Sequence, residues 1–463
     1  MKKNRLRQMS LIAQRLLFLN ILEKVKTMNI EKDTINFLCK QFDLKEEVIK
    51  YVEEKEELIG KKILNINRIK EYNQYKVIEA MQRAKLSSTD FYWTTGYGYD
   101  DMGRDKVEEI YSYVFNTEDA LVRPTIASGT HAITLTLSGI LRPGDELICI
   151  TGSPYETLQK VIGVKGKEKG TFSEFGISYR EIPLDKNNNI DVDKVLETIT
   201  EKTKLLLIQR STGYSDRNAI TIEEIARSIK KIKEVYKDII IMVDNCYGEF
   251  VEKQEPTDVG ADIMAGSLIK NPGGGLALSG GYIVGNKELI ELVANRSTAP
   301  GLGKDCGLTF GMTRNILQGL FLAPLIVSEA VKGALLMAAV YKSLGFKVVP
   351  DVDDLRSDII QGIEFNSKER VVEFCKGIQS ASAVDYYFAP EPSEMPGYED
   401  EVIMAAGGFV QGSSIELSAD APMREPYYAY YQGGLTYEHC KLGVMKSLNN
   451  LYENELLNKD NLI

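Results

Sequence analysis

Between Val107 and about Val284, short apolar stretches alternate with stretches of helical periodicity. Of all features of the sequence, this alternation most limits which fold the chain can adopt. The apolar stretches have the length of buried strands and cover residues 146–150, 204–208, 239–243 and 281–284. Helical stretches at residues 192–199 and 222–235 fall between them. Apolar strands that alternate with helices are typical of βαβ units. We therefore predict an α/β fold, with a mainly parallel sheet and helices on both faces.

The rest of the chain predicts two further units around this large domain. Charged helical periodicity runs from Ile30 to about Arg83, so residues 1–90 are predicted to form an N-terminal helical arm. The large α/β domain would span residues 91–330, and a smaller C-terminal α+β domain residues 331–463. A long helix is predicted at about residues 315–344. The predicted strands of the small domain are residues 347–349, 383–388, 402–406 and 413–417.

The net charge and the numbers of cysteine and histidine residues argue against several classes of function. A formal net charge of −10 argues against a nucleic-acid-binding surface. The six cysteines show no metal or disulfide spacing, and only two histidines, His131 and His439, are present. No apolar run approaches the length that spans a bilayer, and the basic residues 1–26 lack the apolar centre of an export signal. We expect a cytoplasmic protein that does not interact with membranes or nucleic acid and holds no metal.

Two local patterns could bind parts of a phosphorylated ring cofactor. Ser128, Gly129 and Thr130 precede an apolar helix, whose free N–H groups and positive dipole end suit a phosphate. Taken alone, these residues are more simply a good N-cap. Asp244 directly follows the apolar strand 239–243, at the edge where α/β sheets bind ligands. It could pair with a pyridinium nitrogen, and a loop-capping role is equally compatible with the sequence.

Lys270 lies in a stretch of small, weakly charged residues, 266–275. No acidic residue is near it in sequence, so its pKa could be lowered, as a lysine nucleophile requires. Ser267, three residues earlier, could contact a phosphate, and Gly273–Gly275 could let a ligand approach the backbone. Arg424, in the predicted small domain, could hold a carboxylate with two hydrogen bonds, although a surface loop position would also explain it.

The order of these four signals is more specific than any one of them. A phosphate loop, a strand-end aspartate, a lysine and a distal arginine follow one another as expected for pyridoxal 5′-phosphate (PLP) enzymes of fold type I. Several longer stretches resemble one family of bacterial proteins, known as aluminium resistance proteins or methionine gamma-lyase family proteins. They are residues 96–104, 128–131, 141–145, 243–250, 266–275 and 415–420. The resemblance covers about Ile30 to Leu435, and the family is related to the cystathionine beta-lyase and methionine gamma-lyase enzymes.

The resemblance implies the roles of the site residues. Lys270 would carry PLP as a Schiff base and Asp244 would pair with the pyridinium nitrogen. Tyr155 would stack on the ring and share in catalysis. The phosphate would be held by Ser128, Gly129, Thr130 and Ser267 of the same chain, and by Tyr97 or Tyr99 with Arg104 from a neighbouring subunit. Arg210 or Ser211 could also face the cofactor.

A PLP-dependent carbon–sulfur lyase is the implied function, with elimination of the methionine gamma-lyase or cystathionine beta-lyase type. Lys270 would remove the Cα proton and Arg424 would hold the α-carboxylate of the amino-acid substrate. A homodimer or homotetramer with shared active sites is expected. Two alternatives stay open: a PLP-dependent aminotransferase, and a PLP-binding protein of low turnover with a stress-related role.

Overall fold

The computed structural model describes residues 32–457. Its helices are α1 (Lys32–Phe42), α2 (Glu46–Arg83), α3 (Met102–Val114), α4 (Gly129–Ile140), α5 (Glu156–Ile162), α6 (Val192–Thr198), α7 (Ile222–Val235), α8 (Lys287–Ser297), α9 (Thr313–Ser343), α10 (Lys368–Ala381) and α11 (Tyr437–Glu453). Its strands are β1 (Asp119–Arg123), β2 (Glu146–Cys149), β3 (Ser178–Glu181), β4 (Thr203–Gln209), β5 (Ile240–Asp244), β6 (Ile263–Ser267), β7 (Gly281–Gly285), β8 (Lys347–Val349), β9 (Gln361–Glu364), β10 (Val402–Ala406), β11 (Ser418–Pro422) and β12 (Tyr428–Gln432). The basic residues 1–26 and the first part of the predicted N-terminal arm lie outside the described residues.

The large sheet has seven strands in the order β1-β7-β6-β5-β4-β2-β3. Strands β2 to β6 pair in parallel, and β7 is antiparallel to both of its neighbours. The prediction of a mainly parallel sheet is therefore confirmed. Ile241 and Val243 of β5 pack into the core on one face, while Ile240 and Met242 pack into the core on the other. Burial on both faces explains why β5 is apolar without alternation.

The small sheet is antiparallel, in the order β10-β11-β12-β9-β8. Two of its predicted strands are wrong. Residues 383–388 form a bend, because Asp385 has a left-handed φ of 57°, and the aromatic side chains that suggested a strand are exposed. Residues 413–417 also bend, since the Glu416 carboxylate accepts the backbone N–H groups of Phe409 and Val410 and turns the chain back on itself. The strand begins only at Ser418.

Two long helices belong to both cores. In α9, residues from Ile316 to Val331 pack in the large-domain core, and those from Ala334 to Tyr341 in the small-domain core. Helix α2 is shared in the same way: Val48 and Ile49 pack with the small domain, whereas Val77 and Ala80 pack with the large one. The helical segment after Lys32 is therefore a brace along both domains.

Helix α9 also corrects an expectation from the sequence. By length and composition Thr313–Ser343 could cross a membrane, contrary to the expectation that no run approaches that length. However, 78% of its most apolar window is buried inside the protein. A helix that is apolar on every side and covered by its own chain is typical of a protein core.

The glycine run after Lys270 packs its backbone against α9. A Cβ at Gly319 of α9 would lie 2.1 Å from the carbonyl oxygen of Gly273, and one at Gly274 would lie 2.3 Å from the carbonyl oxygen of Gly319. Gly274 also has a left-handed φ of 52°. These glycines therefore allow the Lys270 turn to approach a helix, where the sequence suggested that they allow approach to a ligand.

Replacing Gly319 with alanine is expected to destabilise the protein by about 1–3 kcal/mol, because the new methyl group overlaps the Gly273 carbonyl. The midpoint of urea unfolding measures this. Gly60→Ala in α2 is the matched control, since nothing lies within 4 Å of a Cβ there. That variant should gain about 0.5–1 kcal/mol from helix propensity. Equal midpoints for the two variants would contradict the close contact.

Candidate active site

Four of the predicted site residues follow strand ends at one edge of the large sheet. Asp244 is the last residue of β5, which lies between β4 and β6. Lys270 follows β6, Tyr155 is the N-cap of α5 after β2, and Ser128 is the N-cap of α4 after β1. The carboxyl ends of parallel strands form the ligand-binding edge of an α/β sheet. This fold therefore brings the four residues to the same edge.

The N-terminus of α4 and Ser267 form an arrangement that fits an anion. The Ser128 hydroxyl accepts the backbone N–H of His131 at 3.1 Å, so it caps the helix. A Cβ on Gly129 would lie 3.0 Å from Cys246 Sγ and 3.3 Å from Ser267 Cβ, which shows how closely the helix end approaches β6. The Ser267 hydroxyl is buried and has no hydrogen-bond partner. A phosphate could accept hydrogen bonds from this hydroxyl and from the helix N–H groups.

Tyr155 lies beside this helix end. Its hydroxyl donates to Thr130 Oγ1 at 3.0 Å, and its backbone N–H donates to Gln209 Oε1 at 2.9 Å. Burial, with the nearby carboxylate of Asp244, raises the pKa of Tyr155 well above its usual value. The ring is therefore held between the α4 N-terminus and the end of β5 as a neutral phenol. This position suits stacking on a ring bound between the anion site and Asp244.

Asp244 is buried at the end of its strand. The backbone N–H of Cys246 donates to Asp244 Oδ1 at 3.1 Å, so the predicted loop-capping bond is present as well. Burial raises the pKa of Asp244, and the positive charge of Lys270 opposes that effect. A buried carboxylate of this kind gains stability from a cationic partner such as a protonated pyridine nitrogen.

Lys270 is held over an aromatic ring. Its Nζ lies 3.8 Å from the ring centre of Tyr247, whose hydroxyl shares a hydrogen bond of 3.2 Å with Ser414 Oγ. Burial lowers the pKa of Lys270, but Cys246, Tyr247 and Asp244 outweigh it and raise the pKa above the usual lysine value. The expectation of a lowered pKa for Lys270 is therefore wrong. The sequence around Lys270 has no acidic residue, but the fold supplies one from β5.

The residues predicted to come from a neighbouring subunit lie apart from this group. Tyr97 and Tyr99 are exposed by 69% and 71%. Arg104 is buried, and its guanidinium donates to the carbonyl oxygens of Gly96 and Gly98 at 3.0 and 3.1 Å. It therefore supports the loop that exposes the two tyrosines. Within one chain the structure does not bring Arg104 to Lys270, and its role at the cofactor stays a prediction.

Arg210 faces the large-domain interior. Its guanidinium donates to Asn245 Oδ1 at 2.7 Å, to the Gly248 carbonyl at 3.0 Å and to Glu252 Oε1 at 3.0 Å. These bonds tie the end of β4 to the loop after β5, which supports Asp244 from behind. Ser211 is buried beside it, and its carbonyl accepts a hydrogen bond from Arg217. Of Arg210 and Ser211, the two candidates for facing the cofactor, Arg210 has its guanidinium bound to loops of its own chain.

Arg424 lies at the rim of the site, two residues after β11. It forms ion pairs with Glu156, at 2.9 Å, and with Asp400, at 3.0 Å, and its side chain is 43% exposed. Glu156 directly follows Tyr155, so the structure brings Arg424 next to the predicted ring-stacking residue. The alternative of a surface arginine in a loop also describes this position, because Arg424 is exposed and lies outside the strands. To bind a substrate carboxylate, Arg424 would exchange one of these partners.

Sequence reasoning missed a group of side chains that completes the site. Tyr214 stacks on Tyr430 of the small domain, with 5.1 Å between ring centres, and lies 5.6 Å from the ring of Tyr398. Asp420 of β11 accepts a hydrogen bond from Gln432 at 2.9 Å. The motif 415–420 carried the family resemblance, but no spacing signal assigned Asp420 to the site, because its neighbours come from segments distant in sequence.

Glu249 is a second missed acid and lies beneath the Lys270 turn. Its Oε1 accepts the hydroxyl of Tyr282 at 2.7 Å, and its Oε2 is buried without a partner. Its backbone carbonyl accepts Asn271 Nδ2 at 3.0 Å, one residue after Lys270. Burial raises the pKa of Glu249 to about 8. Glu249 is therefore a mainly protonated acid at neutral pH and packs as a neutral group.

Glu249→Gln is expected to flatten the loss of stability that occurs as the pH rises toward 8. Because the folded pKa is raised above the unfolded value of 4.5, the stability from the protonated acid is complete below that value and is lost as the pH rises from there to about 8. The melting temperature of wild type should thus fall more between pH 6 and pH 9 than that of Glu249→Gln. Glu288→Gln, at an exposed position of α8, should behave as wild type. An unchanged pH dependence in Glu249→Gln would refute the raised pKa.

No group of three or more His, Cys, Asp or Glu side chains within residues 32–457 could hold a metal ion.

The chain matches known proteins over nearly its whole length. A model of the family described as methionine gamma-lyase matches residues 48–452. The uncharacterized protein YnbB of Bacillus subtilis is 50% identical over 393 residues, which are 85% of this chain and 93% of that protein. The family resemblance seen in the sequence is therefore confirmed.

Solved structures agree with the fold. A carbon–sulfur lyase involved in aluminum resistance from Clostridium novyi is 46% identical, with a TM-score of 0.88, and the match covers 91% of this chain and 100% of that chain. The pyridoxal-5′-phosphate-dependent protein YhfS from Escherichia coli is 16% identical, with a TM-score of 0.56, over 83% of this chain and 96% of that chain. The architecture is that of PLP-dependent enzymes of fold type I, as predicted.

Proposed function

The chain belongs to the methionine gamma-lyase family, and we propose that it is a PLP-dependent carbon–sulfur lyase acting on a sulfur-containing amino acid. The observation that carries the proposal is the arrangement at the sheet edge, where Lys270 and Asp244 lie beside an anion site with an unpartnered buried hydroxyl. These groups match the three parts of PLP that a protein must hold: its aldehyde carbon, its ring nitrogen and its phosphate.

Each part of the cofactor has a residue that fits it. The phosphate would be held by the Ser267 hydroxyl and the N–H groups at Gly129 and Thr130, with Ser128 capping the helix. Asp244 would keep the ring nitrogen protonated, and Tyr155 would cover the ring face. When bound, PLP withdraws electrons from the substrate Cα and so makes its proton removable.

The chain's own residues would then move one proton and orient the substrate. The amine of Lys270 would take the Cα proton. Arg424 would hold the substrate carboxylate after giving up Glu156 or Asp400. Tyr155, kept neutral by its environment, could supply a proton near the departing sulfur. The products expected are a thiol, ammonia and a keto acid.

We further propose that two subunits share each active site. Tyr97, Tyr99 and the nearby residue Trp93 in the sequence are each exposed by about 70% among residues 32–457, so the two tyrosine hydroxyls are accessible to a partner. The buried Arg104 holds this loop in shape. A second subunit placed against the loop would receive a tyrosine hydroxyl at its phosphate site, in a homodimer or a tetramer of dimers.

A cytoplasmic location is proposed as well, because all six cysteines are free thiols.

Lys270→Ala tests the activity. With PLP, the wild-type protein should release ammonia and pyruvate or 2-oxobutyrate from L-cystathionine, L-cysteine or L-methionine, without a keto-acid acceptor. The variant should lose the visible absorbance of lysine-linked PLP and at least ~10³-fold in turnover. Lys169→Ala, at a side chain that is 88% exposed, should match wild type. Product formation that requires a keto acid would instead identify an aminotransferase, and bound PLP without any product a low-turnover carrier.

Hybrid oligomers test the shared site. Lys270→Ala and the double variant Tyr97→Phe with Tyr99→Phe should each be inactive alone. Because a mixed dimer would keep one intact site, co-expression should restore roughly a quarter of wild-type activity if subunits assort at random. Co-expression of Lys270→Ala with Asp244→Ala is the control, since both changes lie in the same chain's part of the site and no intact site can form. Absence of rescue with the tyrosine variant would reject sharing through this loop.

A further inference from the structure

The first turn of α4 presents two free backbone N–H groups. Those of Gly129 and Thr130 donate to no group among residues 32–457, whereas the N–H of His131 is capped by the Ser128 hydroxyl at 3.1 Å. The first donors of a helix need partners from outside it. Together with the unpartnered hydroxyl of Ser267 they form the proposed phosphate site. The direction of these donors depends on how firmly the chain is held just before Gly129.

The side chain of His131 holds that part of the chain. Its Nδ1 accepts the backbone N–H of Ala127 at 3.0 Å, while its own backbone N–H donates to Ser128. His131 is thus bonded to both residues that precede the helix. The arrangement is similar to a capping box, in which the third residue of a helix reaches back to a backbone N–H. It closes the chain directly in front of the two free N–H groups.

The bond to Ala127 requires a neutral imidazole. Because Nδ1 accepts from an N–H, it carries no hydrogen, and the ring proton of His131 is on Nε2. A protonated imidazole has a hydrogen on both nitrogens, so Nδ1–H would face the N–H of Ala127 and the bond would break. The positive end of the α4 dipole also opposes a cation at this position. Histidine is the side chain that gains its charge between about pH 5 and 8.

The groups around this turn leave His131 as its pH-sensitive member. The first turn of α4 contains no acidic residue. Tyr155 and Cys246 lie against the turn, and burial raises the pKa of each well above its usual value, so both keep their protons. Helix α8 packs near Gly139, at the opposite end of α4. The charged groups of the neighbouring strands and of α5 are Asp244, Lys270, Glu156 and Lys160.

We propose that His131 is a positioning residue for the cofactor phosphate. When neutral, it holds the turn before α4 in the shape that directs the N–H groups of Gly129 and Thr130 at the anion, and when protonated, it releases that turn. Affinity for a phosphorylated pyridine should therefore fall as the pH falls. The inference rests on the proposed PLP site and adds His131 to it.

Attraction between a protonated His131 and the phosphate would act in the opposite direction. His131 is exposed, so water and salt weaken this attraction. The broken bond to Ala127, in contrast, shifts donors that contact the anion directly. Loss of the bond therefore outweighs the attraction, and neutral His131 is the form that favours binding.

Binding of 4′-deoxypyridoxine 5′-phosphate tests the proposal. This probe has the ring and the phosphate of PLP but no aldehyde, so it cannot bond covalently to Lys270, and its affinity does not depend on turnover. Calorimetry on the full-length protein freed of PLP gives its Kd at pH 8.0 and at pH 5.5. The probe's own uptake of protons is the same for every variant, so differences between variants report on the protein.

His131→Asn and His131→Ala separate the hydrogen bond from the ring. Asparagine Oδ1 is the same number of bonds from the backbone as histidine Nδ1, accepts the same N–H and does not titrate. His131→Asn should therefore keep wild-type affinity at pH 8.0, whereas His131→Ala should bind ~3–10-fold more weakly, the effect of one hydrogen bond. Between pH 8.0 and pH 5.5, wild type should lose ~3–10-fold more affinity than His131→Asn, since only wild type breaks the bond.

His439→Asn is the matched control. His439 is the other histidine of the chain and the third residue of α11, where its N–H donates to the Thr436 hydroxyl at 3.2 Å. Its ring bonds the Ala381 carbonyl of the small domain at 2.9 Å, so this variant should keep the wild-type pH dependence.

The outcomes separate this inference from the proposed cofactor site. Equal pH dependence in wild type and His131→Asn, or unchanged affinity in His131→Ala, would overturn the role of His131 and leave the PLP site standing. A wild-type affinity that rises relative to His131→Asn as the pH falls would overturn it as well. If wild type does not bind the probe at either pH, the PLP site itself is rejected, and the role of His131 with it.

Discussion

Parallel pairing of β4, β5 and β6 is the constraint on which the rest of the site depends. Its register aligns Gln209, Asp244 and Ala265, so that every segment leaving these strands starts from the same edge. Gln209 accepts a hydrogen bond from the backbone N–H of Tyr155, and the positive charge of Lys270 acts on the carboxylate of Asp244. The chain after Ala265 continues to Ser267 and Lys270. A shift of one residue in this register would turn Asp244 away from its face and separate it from Lys270.

The second requirement is a fixed position of the small domain over that edge. Helices α2 and α9 each pack into both cores, and α9 meets the Lys270 turn by direct backbone contact at Gly319. Through these braces Asp420 and Arg424, which belong to the small domain, reach the tyrosines and Glu156 of the large one. The proposed contact of Arg424 with the substrate would therefore come from the other side of a domain boundary, while the proposed cofactor contacts lie within one domain.

Buried acids give the site its electrostatic character. Asp244, Glu249 and Asp420 are each in low-dielectric surroundings that raise their pKa values, but their partners differ. The charge of Lys270 acts on all three acids; Glu249 also has Glu255 nearby, and Asp420 accepts hydrogen bonds from Tyr214 and Gln432. Carboxyl groups at this edge would thus serve different purposes: a charged partner for a ring nitrogen at Asp244, and a neutral packing group under the lysine turn at Glu249.

Much of the fold and the large-domain half of the site could be predicted from the sequence. Apolar runs predicted several of the large-sheet strands, because burial on both faces leaves no alternation. Asp244 was recognisable because it follows such a run, and Lys270 because it lies in a stretch of small, weakly charged residues. The predicted strands at 383–388 and 413–417 were wrong because local bends at Asp385 and Glu416 overrode strand-like composition. The amino-acid sequence by itself determined which strand ends carry polar residues and which family the chain belongs to. Only the tertiary structure decided that Asp420, Glu249 and Tyr247 meet that edge and that the pKa of Lys270 is raised, since burial and through-space charge depend on contacts between segments far apart in the chain.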